Sequence, residues 1–235
     1  MFTPGTIKPE EDYEKMVQLS QKLGIPVVMT HIAVCSKNAN GEIVSEHIDR
    51  SRTYNRNYWN WYFKAFGLMQ GLNNDLASDS TFGAGHLAYK NTAGTVRNAN
   101  NPDLFAPGMI VPATAGTDTA GIAVGTGTSS EDFEGYALNT PVTHGSTSGK
   151  LIYNAMTMQQ PSYNSGTKVW TAPMARVFNN NSGGTIIVTE SAMYAREYFN
   201  NEPVMICRDL LPVPQSVLNA GQLTITYTLT SAFPA

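Results

Sequence analysis

The sequence predicts a mainly β protein: an antiparallel β-sandwich, of jelly-roll or immunoglobulin-like type, carrying a short N-terminal helix, an aromatic-rich helix and extended arms. Three observations lead there. Over residues 222–230 the apolar Leu223, Ile225, Tyr227 and Leu229 alternate with Gln222, Thr224, Thr226, Thr228 and Thr230, the period-two pattern of a strand with one buried face. Segments 151–158, 168–178, 185–195 and 203–208 read as further strands. They are separated by turn formers such as Asn179-Asn180-Asn181-Ser182-Gly183-Gly184, with no helix between them. Finally, 27–35 and 42–48 are β-branched runs joined by Asn38-Ala39-Asn40-Gly41, whose Asn-Gly pair suits a hairpin reversal.

Taken in order, residues 1–11 form a Pro- and Gly-bearing arm that needs a partner surface to be ordered. Over 12–23, Tyr13, Met16, Val17 and Leu23 recur at helical spacing, and Gly24 with Ile25-Pro26 supplies the stop. After the hairpin come Tyr54, Tyr58, Trp59, Trp61, Tyr62, Phe63 and Phe66, led by Arg50, Arg52 and Arg56. On a helix Tyr54, Tyr58, Trp61, Ala65 and Leu68 would form one stripe, and Trp59, Phe63 and Phe66 would point elsewhere, so two faces need cover. Core burial, a subunit interface with arginine and aromatic anchors, and base stacking on nucleic acid are the three readings of such a helix. Residues 73–120, rich in Asn, Gly, Ala, Thr and Pro, read as an insertion or extended arm. The organisation is therefore 1–72, then 73–120, then a sandwich region 121–235 that forms one domain with 25–72. Pro212 and Pro214 are read as preceding the last strand. From Leu210 to Ala235 no side chain is charged, so that terminal edge must be paired or covered, within the fold or by another subunit.

Composition narrows the function. Of 235 residues only 14% are charged, against roughly 25% in an average domain, and Lys+Arg 15 against Asp+Glu 18 leaves a net charge of −3. Diffuse binding to nucleic acid or anionic lipid is disfavoured. No apolar run approaches the roughly 18 residues of a membrane span, and Met1-Phe2-Thr3-Pro4-Gly5 lacks the basic and apolar regions of a signal peptide, so a soluble chain is expected. Cys35 and Cys207, far apart among apolar neighbours, read as buried strand thiols in preference to a disulfide.

Catalytic motifs are sparse. His31, His47, His86 and His144 show no HxH or HExxH spacing and the cysteines no CxxC, so a zinc site is not expected. Gly125-Thr126-Gly127 lacks the third glycine and the strand-to-helix context of a dinucleotide fingerprint, and no P-loop occurs; no cofactor is expected. Glu131, Asp132 and Glu134 are the best carboxylates for a glycosidase, but neighbours in one loop do not face each other across a substrate. A solvated or Ca²⁺-touching loop is the other reading. Ser45 and His47 would share a strand face with no GxSxG elbow beside them.

Several phrases have a recognisable texture. They are Gly121-Ile122-Ala123-Val124-Gly125-Thr126-Gly127-Thr128 with Phe133, Tyr136-Ala137-Leu138 and Val142-Thr143-His144-Gly145; Phe178-Asn179-Asn180-Asn181-Ser182-Gly183-Gly184-Thr185-Ile186-Ile187-Val188-Thr189-Glu190 with Met193-Tyr194; Cys207-Arg208-Asp209; the strand 222–229; and Arg50-Ser51-Arg52-Thr53-Tyr54-Asn55-Arg56-Asn57. Together they resemble structural proteins encoded by tailed bacteriophages, over roughly 50–62 and 121–229. The resemblance implies a non-enzymatic virion subunit of capsid, neck, tail, baseplate or fibre, made in the bacterial cytoplasm, whose partners are itself, as a homo-oligomer, and other virion proteins. On that reading Arg50, Arg52, Tyr54, Arg56, Tyr58, Trp59, Trp61, Tyr62 and Phe63 anchor one subunit to the next. Leu223, Ile225, Tyr227 and Leu229, on a strand that completes a sheet, are counted with them as residues meeting another subunit. The main alternative is a receptor- or carbohydrate-binding module on the virion surface, its aromatics stacking on a host glycan; a capsid decoration protein is another.

Overall fold

The computed structural model describes residues 9–25, 27–51, 53–65, 88–98, 109–197 and 201–233. Along the chain run α1 (Pro9–Leu23), β1 (Val27–Lys37), β2 (Ile43–Arg50), α2 (Arg56–Ala65), β3 (Ala88–Lys90), β4 (Val96–Asn98), β5 (Met109–Ile110), β6 (Gly121–Gly125), β7 (Ile152–Tyr153), β8 (Thr157–Met158), β9 (Ser162–Asn164), β10 (Val169–Asn179), β11 (Ile186–Glu197), β12 (Pro203–Val217) and β13 (Gln222–Ala232). The larger sheet has the order β2-β1-β13-β10, with β7, β8 and β9 laid successively along the far side of β10. The smaller has β12 beside β11, whose other side takes β6 and β5. All these strand pairs are antiparallel, and side chains from both sheets fill one core, consistent with a β-sandwich.

The strand β13 is the spine of the larger sheet. It pairs over its whole length with β1 on one side and β10 on the other, so that Ile225 lies between Val34 and Arg176. Its alternation does what the sequence requires: Leu223, Ile225 and Tyr227 point inward and are fully buried. This corrects the expectation that these residues meet another subunit. A central strand has no free edge, and the opposite sheet of the same chain fills its apolar face. Leu229, half-buried, lies between Thr30 and Ala172 in the same sheet. The β13 part of the charge-free stretch is thus paired on both sides within the fold, while its 210–217 part lies in β12 at the end of the smaller sheet.

The hairpin β1–β2 forms as the Asn-Gly turn predicts: Gly41 adopts φ +81° and Asn38 Oδ1 accepts the amides of Asn40 and Glu42. Elsewhere boundaries differ for physical reasons. The helix α1 begins at Pro9, inside the segment read as an arm, because a proline fits the first helical position, where its missing N–H costs nothing. The expected strand 151–158 is broken into β7 and β8, since the Asn154 carbonyl is taken by Arg176 Nε at 2.8 Å. Pro212 and Pro214 precede the last strand as expected, but they do so inside β12, which runs on past the expected 203–208 to Val217. There the register slips so that Val188 faces Gln215 while Glu190 faces Leu210. An edge strand with a bulge tolerates residues that cannot donate. Cys207 is buried as expected and both cysteines are free, but Cys35 is only half-buried, on the outer face. Within the segment read as an insertion, β3 and β4 form a hairpin; residues 73–87 and 99–108 lie outside the described residues.

One buried side chain organises the stretch leading into β6. Arg176, 1% exposed, spends its guanidinium on five backbone carbonyls: Asn154, Ala120 at 2.8 Å, Ile122 at 2.9 Å, Thr114 at 3.1 Å and Thr117 at 2.6 Å. It also lies over the Tyr153 ring at 4.8 Å. Burial lowers its pKa, while Tyr153 and Asp118 oppose that shift. Lysine has three donors in place of five, so Arg176→Lys leaves at least two of these carbonyls without their present donor. It should cost about 3 kcal/mol, read as a lower urea midpoint at unchanged slope; an unchanged midpoint would contradict this role.

Candidate functional site

The segment from Ser51 to α2 is strapped to the smaller sheet by its polar side chains. Ser51 Oγ donates to Asp209 Oδ2 at 2.8 Å. The Thr53 hydroxyl contacts both the Arg208 carbonyl and Asp209 Oδ1. Tyr54 bridges to Cys207 across the backbone, and its phenol pairs with Thr30 Oγ1 at 2.6 Å. Asn55 then caps the helix: its Oδ1 accepts the Tyr58 amide at 3.2 Å, while its Nδ2 reaches the carbonyls of Gly135 at 2.9 Å and Met205 at 2.7 Å. Asn57 is equally committed. Its Nδ2 donates to the carbonyls of Lys90 and Met205, both at 2.9 Å, and its Oδ1 accepts the Lys90 amide at 2.8 Å. These two asparagines, 2% and 1% exposed, join α2 to β12, to the 131–136 loop and to β3.

The aromatic side chains project from this fixed base. Tyr54 and Tyr58 are 4.1 Å apart between ring centroids and rest against the core; Tyr58 stacks on Tyr62 at 6.0 Å, and Trp59 meets Tyr62 edge-on at 5.7 Å. Trp59 is 38% exposed, and Trp61 and Tyr62 are half-buried. Arg56 pairs with Glu134 and lies 5.8 Å from the Phe133 ring centroid. Arg50, at the end of β2, sets Nη1 3.7 Å from Met16 Sδ. The structure therefore gathers Arg56, Tyr58, Trp59, Trp61 and Tyr62 on α2, with Tyr54 just ahead of it against Tyr58, and puts Arg50 at the end of β2, where it lines one pocket with Tyr54. Arg52 and the side chain of Phe63 lie outside the described residues.

The helix is placed by a loop, and the loop is placed by a charge. Glu190, fully buried, pairs through Oε2 with Arg208 Nε at 2.6 Å. The same carboxylate accepts the amides of Gly127 at 3.0 Å, Thr140 at 2.9 Å and Asn139 at 3.3 Å. Arg208 continues to the carbonyls of Ser129 at 2.9 Å and Ser130 at 3.2 Å. Loop 126–140 is thus pinned at both ends, and between them Phe133, Glu134 and Gly135 meet α2. Here the Gly125-Thr126-Gly127 phrase finds its reason: a Cβ on Gly127 would come within 2.6 Å of both Glu190 Oε1 and the Asn139 side chain, and one on Gly125 would strike Glu190 too. The glycines admit a protein carboxylate to the backbone.

Other candidate groups are accounted for in the same way. Glu131 Oε1 accepts the Leu210 amide, Asp132 Oδ1 the Glu134 amide, and Glu134 holds Arg56. Ser45 and His47 do share a face of β2, opposite Ser36 and Val34. Among the described residues no group of three His, Cys, Asp or Glu could hold a metal ion. A buried cluster that sequence reading missed gathers Cys207, Asp209, Tyr227, Ser191 and Ser51. Tyr227 Oη lies 3.1 Å from Asp209 Oδ2 and 3.2 Å from Ser191 Oγ. Burial, then the Asp209 charge, pushes the Cys207 thiol and the Tyr227 phenol well up, so the thiol is the protonated, poorly nucleophilic form. The available signal for Glu190, Arg208 and Asp209 was a charge set inside an apolar strand run.

No family model, no curated protein and no solved structure matches the chain. What fold and site define is a mainly β protein of antiparallel sheets that presents a rigidly mounted aromatic helix.

The buried acids set a pH limit. Burial pushes the Cys207 thiol above its ordinary 9.0 and the phenols of Tyr54, Tyr153 and Tyr227 above 10.0, with Tyr194 pushed up to about 12. The folded chain therefore holds these protons where the unfolded chain has released them. The contribution of these groups to stability is fully present below about pH 9 and falls as pH rises beyond it. Urea unfolding at stepped pH should find this loss, and Cys207→Ala should delay its onset toward pH 10; a stability flat to pH 11 would refute the assignment.

Proposed function

We propose that the chain is a structural subunit of a tailed-bacteriophage virion, working by assembly and without catalysis. In this reading the exposed side of α2 is a contact surface between subunits. The observation that carries it is the mounting of the aromatic helix: Asn55, Asn57 and Arg56 hold α2 at three points, and Trp59 stands out from it 38% exposed. Trp, Tyr and Arg on a rigid support are the residues that dominate binding energy at protein interfaces, because little conformational entropy is lost on docking. The chain's 14% of charged residues suits a surface that is largely covered in an assembly. Polar groups of types used in catalysis, Glu190, Arg208, Asp209 and Cys207, are occupied with holding strands and loops together.

The alternative of glycan binding draws on the same Trp59, which could stack on a sugar ring. Assembly and glycan recognition separate cleanly in one experiment. With Trp59→Ala and Trp61→Ala combined, particles or oligomers should lose heat resistance or fail to form while the subunit keeps its far-ultraviolet circular dichroism. Assembly as robust as wild type, with glycan-array binding abolished, would overturn the proposal in favour of the sugar-binding reading.

A further inference from the structure

We propose that β2 is a second, independent assembly surface, at which two copies of this chain pair edge to edge about a two-fold axis through Ile48. The inference rests on no part of the reading given to α2. In the sheet order β2 stands at the end, with β1 as its one strand partner among the described residues. Such edges are normally blunted, because an open row of N–H and C=O groups recruits another strand. This one combines charge with accessible apolar side chains: Ile43, Val44 and Ile48 are 57%, 49% and 59% exposed beside Glu46, Asp49 and Arg50.

The charges on the strand select the partner and the register. In a two-fold antiparallel pair, directly opposite residues must be of the same hydrogen-bonding type, so the axis passes through a residue. Centring on Glu46 sets glutamate against glutamate, and centring on Asp49 sets aspartate against aspartate. Centring on His47 sets Glu46 against Ile48 and Val44 against Arg50. Only the centre on Ile48, among these four, is complementary throughout: Ile48 meets its own counterpart, Glu46 meets Arg50 twice, and His47 meets Asp49 twice. The faces agree as well. Glu46, Ile48 and Arg50 align with Cys35, Ala33 and His31 on the outer side of the sheet, while His47 and Asp49 align with Val34 and Ile32 on the inner side. Self-complementarity of this kind points to a second copy in preference to an unrelated strand. The neighbouring α1 extends the apolar surface, since Met16 reaches Arg50 and Leu19 and Leu23 are more than half exposed.

A charge swap tests the register. Native mass of the full chain should be that of a dimer or a multiple of it, measured by light scattering over a concentration series. Glu46→Arg alone places two arginine pairs in opposition, and like charges directly opposite are unfavourable, so it should weaken the β2 contact about tenfold or more. Adding Arg50→Glu to Glu46→Arg restores opposite signs and should recover affinity to within about threefold of wild type. A wild-type monomer, a Glu46→Arg chain that associates as well as wild type, or a double variant no better than the single one would each overturn the proposal. Because Trp59 and Trp61 are absent from this contact, their replacement should leave the β2 dimer intact even if higher assembly is lost, so the two surfaces fail separately.

Discussion

The buried carboxylate of Glu190 is the constraint on which the functional face depends. Alone in an apolar interior an ionised carboxylate would be intolerably costly. Here it is matched by Arg208 and by three backbone amides, and each of those partners belongs to the loop or to the strand facing it. The pair need not add net stability, since such pairs are often replaceable by apolar residues at little cost. An apolar substitute would nevertheless orphan the amides of Gly127, Asn139 and Thr140. What the charge fixes is the path of loop 126–140, and through Phe133, Glu134 and Gly135 the seat of α2.

Arg176 solves the mirror-image problem at the other side of the core. It has backbone carbonyls for partners where Glu190 has amides, and so fixes the stretch 114–122 that feeds β6. Long irregular connections carry many backbone polar groups, and a single multivalent side chain satisfies several at once. The described stretches 114–122 and 126–140 are thus each held by a buried charged hub.

Much of the sheet architecture was legible in the sequence. The alternation around Ile225, the Asn38–Gly41 turn and the aromatic helix are local signals, and local signals survive in one chain. Other features were not legible because their causes are remote. Ser51 and Thr53 form a strap only because Asp209 lies across the sandwich from them, and Asn55 and Asn57 are hubs only because Met205 and Lys90 come alongside. The interruption of 151–158 depends on Arg176, and Pro212 and Pro214 enter a strand only because its register slips opposite β11. In the phrase Arg50-Ser51-Arg52-Thr53-Tyr54-Asn55-Arg56-Asn57 the polar side chains of Ser51, Asn55 and Asn57 turn inward. For the candidate site this left the aromatics legible and their mounting hidden.

The dependence of α2 on the buried charge is the central claim, and amide hydrogen exchange in Glu190→Gln tests it most directly. The exchange of the Gly127, Asn139 and Thr140 amides should accelerate, and that of the α2 amides, Tyr58 and Trp59 among them, should accelerate with it while β13 stays protected. Faster exchange in the loop with α2 as protected as in wild type would contradict the account, and would mean that Asn55 and Asn57 hold the helix unaided.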